Sequence, residues 1–399
     1  MRCNKKAAQS ALCGILCVVL LCVMCGCGGS VTTKNAKPVA SYQVLSRVAE
    51  SENYNNSESY EAIKALDDGS YLLAIAGREY DEDQHYSSMT DIRLVRCLPG
   101  GETTVITGAE GEFGLDEADW IVSDSGDAEN YRIALQSMSS GDIVGLAVPQ
   151  ELQAYSKALY AAPDCWLLMR DIVSCGETCE YSTRVYYYDA RAKLSEEPQV
   201  LLYSNAEGLS MDMAVSADGT PEQFVFLTRL GELTMIDAAD GSVRTMTAGE
   251  DFADDFGTWR RYQGVWAVPD SDMLVLQVEY DLNDKGDQAV DYLMLDTVTG
   301  EITGKYTVKG TLWEYSLKTA DADTLYFAQA AVSGDYNRLV SVDLANGEEK
   351  LLFAPVDGDM ASNISDIRDA ALLPDGSGIL LMTAGQVLQV SLEDELQEK

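Results

Sequence analysis

From Ala40 to Glu393 the chain alternates short apolar runs with polar turns, and apolar residues rarely recur at a helical spacing. Runs such as Phe224-Val225-Phe226-Leu227 and Gly378-Ile379-Leu380-Leu381-Met382 are short, β-branched or aromatic in character, and bounded by Gly, Asp or Ser. That pattern predicts strands rather than helices. Pairs of runs flank Asp-Gly steps, as at Pro374-Asp375-Gly376 and Ala217-Asp218-Gly219. Asp and Gly tolerate the positive φ that a tight hairpin needs, so each pair predicts an antiparallel hairpin.

The hairpins repeat. An aliphatic strand ending in Asp is followed four residues later by Gly at Asp237–Gly241, Asp296–Gly300 and Asp343–Gly347. Weaker copies stand near Cys97, Ser137, Asp189 and Ser391, giving seven anchors separated by 40 to 59 residues. A fixed period of this size marks a repeat architecture. With four strands per unit, the expected fold is an all-β, seven-bladed β-propeller of four-stranded antiparallel blades over residues 41–395. The last unit supplies only three strands before the chain ends. The orphan strand Tyr42–Val48 is therefore expected to complete it as the outermost strand, removing an exposed edge. A chain beginning at Glu61 should then aggregate.

The Pro-Asp-Gly and Asp-x-x-x-Gly-Glu turns resemble the WD-like repeats of TolB-type propellers, and the Asp-x-x-x-Gly turns resemble those of quinoprotein-type propellers. The resemblance spans Ala40 to Glu393 and implies a fold rather than an activity. The Trp of quinoprotein repeats is missing after Gly241, Gly300 and Gly347. That cofactor is not implied, and no cofactor is expected.

Ahead of this body, Arg2, Lys5 and Lys6 precede an apolar run, Ala11 to Met24, that ends in Met24-Cys25-Gly26-Cys27. A basic start, an apolar stretch and a small residue before the cut make a secretory signal. A cysteine directly after the small residue resembles a bacterial lipoprotein signal, which implies cleavage after residue 26 and acylation of Cys27. Residues 27–40 then form a polar linker. The resemblance places the body outside the cytoplasm, in a bacterial cell envelope, with the membrane as partner through the lipid. If Tyr42–Val48 is an outermost strand, the linker enters on the face carrying the short turns and the long loops point away from the membrane.

Charge narrows the partners further. The chain carries 65 acids and 28 bases, a net charge of −37. Such a surface repels nucleic-acid phosphates and anionic lipid, so nucleic acid is excluded as a partner. A monomeric body is expected, with a protein or glycan as ligand.

Chemistry is sparse. His85 is the only histidine, which removes multi-histidine metal sites and most His-paired nucleophiles, and no Gly-x-Ser-x-Gly elbow is present. No catalytic residue and no resident metal are expected. The segment Asp281-Leu282-Asn283-Asp284-Lys285-Gly286-Asp287 faintly resembles a calcium loop, with Asp281, Asn283 and Asp287 as oxygen donors. It lacks the glutamate at the twelfth position and reads better as an acidic hairpin loop. Cys175 and Cys179 bracket a short loop and are candidates for a disulfide in an oxidising compartment.

Long insertions at 79–90, 170–183, 279–289 and 354–365 should share one face. Trp259, Arg260, Arg261, Tyr262, Trp313 and Tyr315 should lie on it as candidates for partner binding, since Arg with aromatics typifies hot spots. The function expected is a non-catalytic binding or assembly module acting through this long-loop face. The alternatives are a propeller-type glycan hydrolase or lyase, and an accessory subunit of an envelope assembly machine.

Overall fold

The computed structural model describes residues 38, 40–47, 58–66, 68–81, 86–98, 102–109, 113–114, 120–125, 132–137, 143–147, 156–161, 165–175, 179–189, 200–204, 209–215, 221–247, 260–269, 271–282, 288–309, 314–330, 337–355, 366–383 and 385–395. All regular elements among them are strands, and they pair into four-stranded antiparallel sheets, numbered here in chain order. Sheet 1 holds β2 (Glu58–Ala65), β3 (Tyr71–Asp81), β4 (Tyr86–Cys97) and β5 (Thr103–Ala109). Sheet 2 holds β6 (Phe113–Gly114), β7 (Trp120–Ser125), β8 (Arg132–Ser137) and β9 (Ile143–Ala147). Sheet 3 holds β10 (Ser156–Ala161), β11 (Cys165–Cys175), β12 (Cys179–Asp189) and β13 (Val200–Ser204).

Sheet 4 holds β14 (Leu209–Val215), β15 (Pro221–Thr228), β16 (Glu232–Asp237) and β17 (Val243–Thr247). Sheet 5 holds β18 (Arg260–Ala267), β19 (Met273–Asp281), β20 (Gln288–Asp296) and β21 (Ile302–Lys309). Sheet 6 holds β22 (Tyr315–Ala320), β23 (Thr324–Gln329), β24 (Arg338–Asp343) and β25 (Glu349–Phe353). Sheet 7 joins β26 (Ile367–Leu372), β27 (Gly378–Thr383) and β28 (Gln386–Glu395) to β1 (Ala40–Arg47), in the order β1-β28-β27-β26.

The sheets stack face to face because their central strands are apolar on both sides. β27 is buried along its whole length. Its Ile379 and Leu381 enter the core shared with sheet 6, while Leu380 and Met382 enter the core shared with sheet 1. The same period of two divides β20: Leu293 and Leu295 face sheet 4, and Val290, Tyr292 and Met294 face sheet 6. A strand buried on both faces reads as a continuous apolar run, which is why these segments lack polar alternation. First strands of successive sheets neighbour one another at β14 with β18, β22 with β26 and β26 with β2. These first strands form the inner ring of a β-propeller.

The blade count differs from the expectation of seven. Pairing alone divides the strands into seven sheets, but a blade is a sheet with its faces packed against its neighbours. Four described cores run in succession through sheets 4, 5, 6, 7 and 1, which makes five face-packed blades among the described residues. Counting turn motifs registers hydrogen-bonded ladders. It is blind to the face-to-face burial that turns a ladder into a blade.

β1 lies where an outermost strand should. It is antiparallel to β28, with Val44 opposite Leu388 and Arg47 opposite Gln386. Ala40 joins the core between sheets 6 and 7, and Leu45 packs on the core between sheets 7 and 1. The Tyr42 ring meets Phe353 of β25 edge-on at 5.0 Å. The hydroxyls of Ser46 and Tyr60 of β2 share a hydrogen bond of 2.7 Å. One N-terminal strand thus ties the last blade to both neighbours.

Candidate functional site

Alternating strand direction sorts every connection to one of two faces. The turns after the first and third strands lie on one face, and those after the second strand lie on the other with the links between sheets. The first face is built from the repeated Asp motifs. Asp237, Asp296 and Asp343 each accept the backbone amide two residues on at 2.7–2.8 Å. Gly241, Gly300 and Gly347 return their amides to the carbonyls of those same aspartates at 2.7–2.9 Å, with φ near +70° to +76°. The Asp supplies an acceptor for the turn, and only Gly adopts that φ without strain. Asp68, Asp240 and Asp375 bond Ser70, Ser242 and Ser377 in the same way. Those bonds hold their carboxyls below the usual range, with Arg96 adding to the effect at Asp68. The aspartates of this face are turn formers.

On the other face the register corrects the sequence reading. Within the insertions at 79–90 and 170–183 the described residues are strand continuations rather than loops. β3 and β4 stay paired to Asp81 and Tyr86, while β2 reaches only Gly77. β11 and β12 stay paired to Cys175 and Cys179, while β10 reaches only Arg170. Two-stranded ribbons therefore extend past the four-stranded body in sheets 1 and 3. Cys175 and Cys179 are direct cross-strand partners at the tip of the second ribbon.

The residues expected on a binding patch separate. Tyr262 is 2% exposed and packs in the core between sheets 4 and 5, with its ring against Gly231. Tyr315 is 7% exposed. Its hydroxyl donates to Glu349 at 3.3 Å and accepts from Gln329 at 2.8 Å. Burial, with the Glu349 charge, pushes this phenol up to about 12. Neither ring presents a face to a partner. Arg261 is half-buried, with its Nε shielded from solvent. Arg260 begins β18, and only its backbone is described. Trp259, Trp313, His85, Cys27, Asn283 and Asp287 lie outside the described residues, and Asp281 ends β19. Among the described residues no three His, Cys, Asp or Glu side chains gather as a metal set.

A feature invisible to motif reading lies on the inner strands. In sheets 1, 3, 5, 6 and 7 the first strand carries one residue more than its partner, a β-bulge, at Glu61, Leu159, Gln263, Lys318 and Arg368. In β2, β10, β18 and β22 it is the fourth residue of the strand. The residue before it is buried in four of the five: Tyr60, Tyr262, Leu317 and Ile367. A bulge re-aims a side chain, so an apolar anchor followed by a bulged polar residue turns that residue out of the core.

Three of these strands are tied together by the bulged cations. The Lys318 ammonium donates to the Arg368 carbonyl at 3.0 Å, and the Arg368 guanidinium donates to the Tyr60 carbonyl at 3.0 Å. The Asp369 carboxylate accepts the Ile63 amide at 3.4 Å and the Ala370 amide at 2.9 Å. Burial pushes the Lys318 ammonium down and the Asp369 carboxyl up, each partly offset by the other's charge.

No protein-family model matches the chain, and no curated protein matches it. Among solved structures it is similar to the crystal structure of the WD40 β-propeller domain of Doa1, at 13% identity and a TM-score of 0.44, over 88% of this chain and 97% of that one. The chain is a β-propeller by its own strand order and packing.

Proposed function

We propose that this protein is a lipid-anchored, extracytoplasmic β-propeller that works as a non-catalytic binding module through the face bearing the two ribbons. The observation that carries this reading is that β1 begins on the face opposite to the ribbons. β1, an outermost strand antiparallel to β28, starts on the short-turn face, and the ribbons leave the opposite face. Acylation of Cys27, as the signal resembles, would hold the first face toward the membrane and present the second. A polar, acidic body of this kind suits a protein or glycan partner rather than nucleic acid or anionic lipid.

The test has two arms in the native envelope. Metabolic labelling with an alkyne fatty acid should modify the chain, and Cys27→Ala should abolish the label. Photo-crosslinkers at Arg78, Ser87, Ile172 and Ser182 on the ribbons should capture one defined partner, while crosslinkers at Asp240 and Asn346 on the short turns should not. Labelling that survives Cys27→Ala, or equal capture from both faces, overturns the proposal.

A further inference from the structure

The ribbon of sheet 1 lacks a third strand for a local reason. β4 is flanked on both sides as far as Ile92, which pairs with Ala76 of β3 and with Ala109 of β5. The next residue toward the tip, Asp91, is a bulge, because Thr90 pairs with Gly77 and Ile92 with Ala76. A bulge bends its strand and ends pairing, and β5 stops at this point. Beyond it, residues 86–90 pair with β3 alone among the described residues. At about 3.3 Å per residue, that leaves about 17 Å of strand with an open outer edge of backbone amides and carbonyls.

Open edges are ordinarily protected. The outermost strands of sheets 4, 5, 6 and 7 carry Arg244, Lys305, Lys350 and Arg47, and charge deters the addition of another strand. β5 has no charged residue but carries a bulge at Ile106, a second form of protection. β9 and β13 are uncharged too, yet each completes a sheet of four strands. The two edges of the ribbon differ. Its inner edge on β3 reads Arg78-Glu79-Tyr80-Asp81. Its outer edge on β4 reads Tyr86-Ser87-Ser88-Met89-Thr90, uncharged in a chain of net charge −37. The corresponding edge of the sheet 3 ribbon is interrupted by Glu180. Two strands alone are marginal in water, and a third turns them into a stable sheet.

We propose that residues 86–90 of β4 take up an extended segment of a partner protein as an added antiparallel strand, uncharged along the paired stretch and basic at its ends. A row of open backbone donors and acceptors is matched by another extended backbone, and antiparallel pairing is the more stable kind. Acids bound the stretch at both ends, Asp91 at its base and Asp81, opposite Tyr86, at its tip. Those charges favour bases flanking the added strand, whereas a second copy of so acidic a chain is repelled. This partner chemistry rests on the ribbon face being the binding face.

Hydrogen exchange of the full chain in mild detergent, read by mass spectrometry, tests it without any variant of the protein. The probe is the peptide KKTVTVTKK at millimolar concentration. It should slow exchange at residues 86–90 about fivefold or more, as four-fifths occupancy does, and leave the turns at Asp240 and Asn346 unchanged. The same peptide N-methylated at every central amide keeps its charge and side chains but cannot pair, and should slow nothing. EETVTVTEE should protect less than the basic peptide. No slowing at 86–90, equal slowing by either control peptide, or equal slowing along every outermost strand overturns the proposal. Slowing that grows with protein concentration in the absence of peptide makes the occupant a second copy and overturns it too. A partner crosslinked at Ser87 without peptide protection leaves the binding face standing and removes the added strand. Peptide protection with equal crosslinking from both faces keeps the strand and removes the face.

Discussion

Asp291 is the most informative single position for the energetics of the blades. It sits on β20 with 0% exposure. Its Oδ1 accepts the Thr307 hydroxyl at 2.7 Å and the Tyr280 hydroxyl at 3.2 Å, and its Oδ2 lies 2.6 Å from the Lys305 ammonium. Lys305 keeps 47% of its side chain in water, so removing Asp291 leaves the ammonium solvated but takes away the acceptor shared by two inward hydroxyls. Hydrogen bonds to a charged group are worth roughly 1.5–3 kcal/mol each. Part is regained because the carboxylate no longer has to be desolvated. Asp291→Ala should therefore destabilise by about 3 kcal/mol. Lys305→Met keeps the apolar stem and removes the charge that compensates the carboxylate, and should cost about 2 kcal/mol, less than a fully buried pair because Lys305 is half in solvent. In the double variant neither charge remains, so the combined loss should fall short of the sum by at least about 1 kcal/mol. Guanidinium unfolding followed by tryptophan fluorescence measures all four proteins. Strict additivity, or single losses below about 0.5 kcal/mol, would refute the reasoning that the pair and its hydroxyls act as one buried unit.

Other outcomes follow from the turns and the ribbons. Protein isolated from an oxidising compartment should carry a Cys175–Cys179 bond, seen as a peptide lighter by two hydrogens until reduced. Separate free thiols at both positions would contradict it. Carboxyls held low by turn amides, at Asp68, Asp240, Asp296 and Asp375, favour the folded state fully only above their unfolded value near 3.8. Unfolding midpoints should accordingly drop as pH falls below about 4, and a flat acid limb would count against their role. Gly347→Ala meets no atom within 4 Å and only the strain of φ +71°, so it should cost about 1 kcal/mol. Gly231→Ala also drives its methyl to 2.4 Å from the Tyr262 ring. It should lower the unfolding midpoint clearly more.

The sequence displays the fold's chemistry wherever that chemistry is local. Asp296 and Gly300 are legible because an Asx turn and a positive φ each demand a residue type. The closing role of β1 is legible because three strands at one end and one at the other leave a single economical pairing. What makes a blade is less visible. Leu380 and Leu381 are neighbours in one apolar run, and only the packing shows that they serve different cores. The candidate patch fails at Tyr262 and Tyr315 for the same reason. An aromatic beside a polar residue reads as a displayed surface, whereas here the ring is the anchor and the next residue or two carry the polarity. The bulged positions could have been noticed by aligning the inner strands on Tyr60, Tyr262, Leu317 and Ile367. A bulge leaves no residue signature of its own, because any side chain can occupy it.

Closure by the N-terminal strand is the central claim, and removing that strand tests it most directly. A chain starting at Lys37 and one starting at Glu58, where β2 begins, both lack Cys27 and differ only in the segment containing β1. The account predicts a monodisperse monomer from the first. From the second it predicts association or aggregation on a sizing column and a lower unfolding midpoint, because β28 loses its outer partner and the cores beneath Ala40 and Leu45 open. A well-folded monomer of unchanged midpoint from the shorter chain would contradict it.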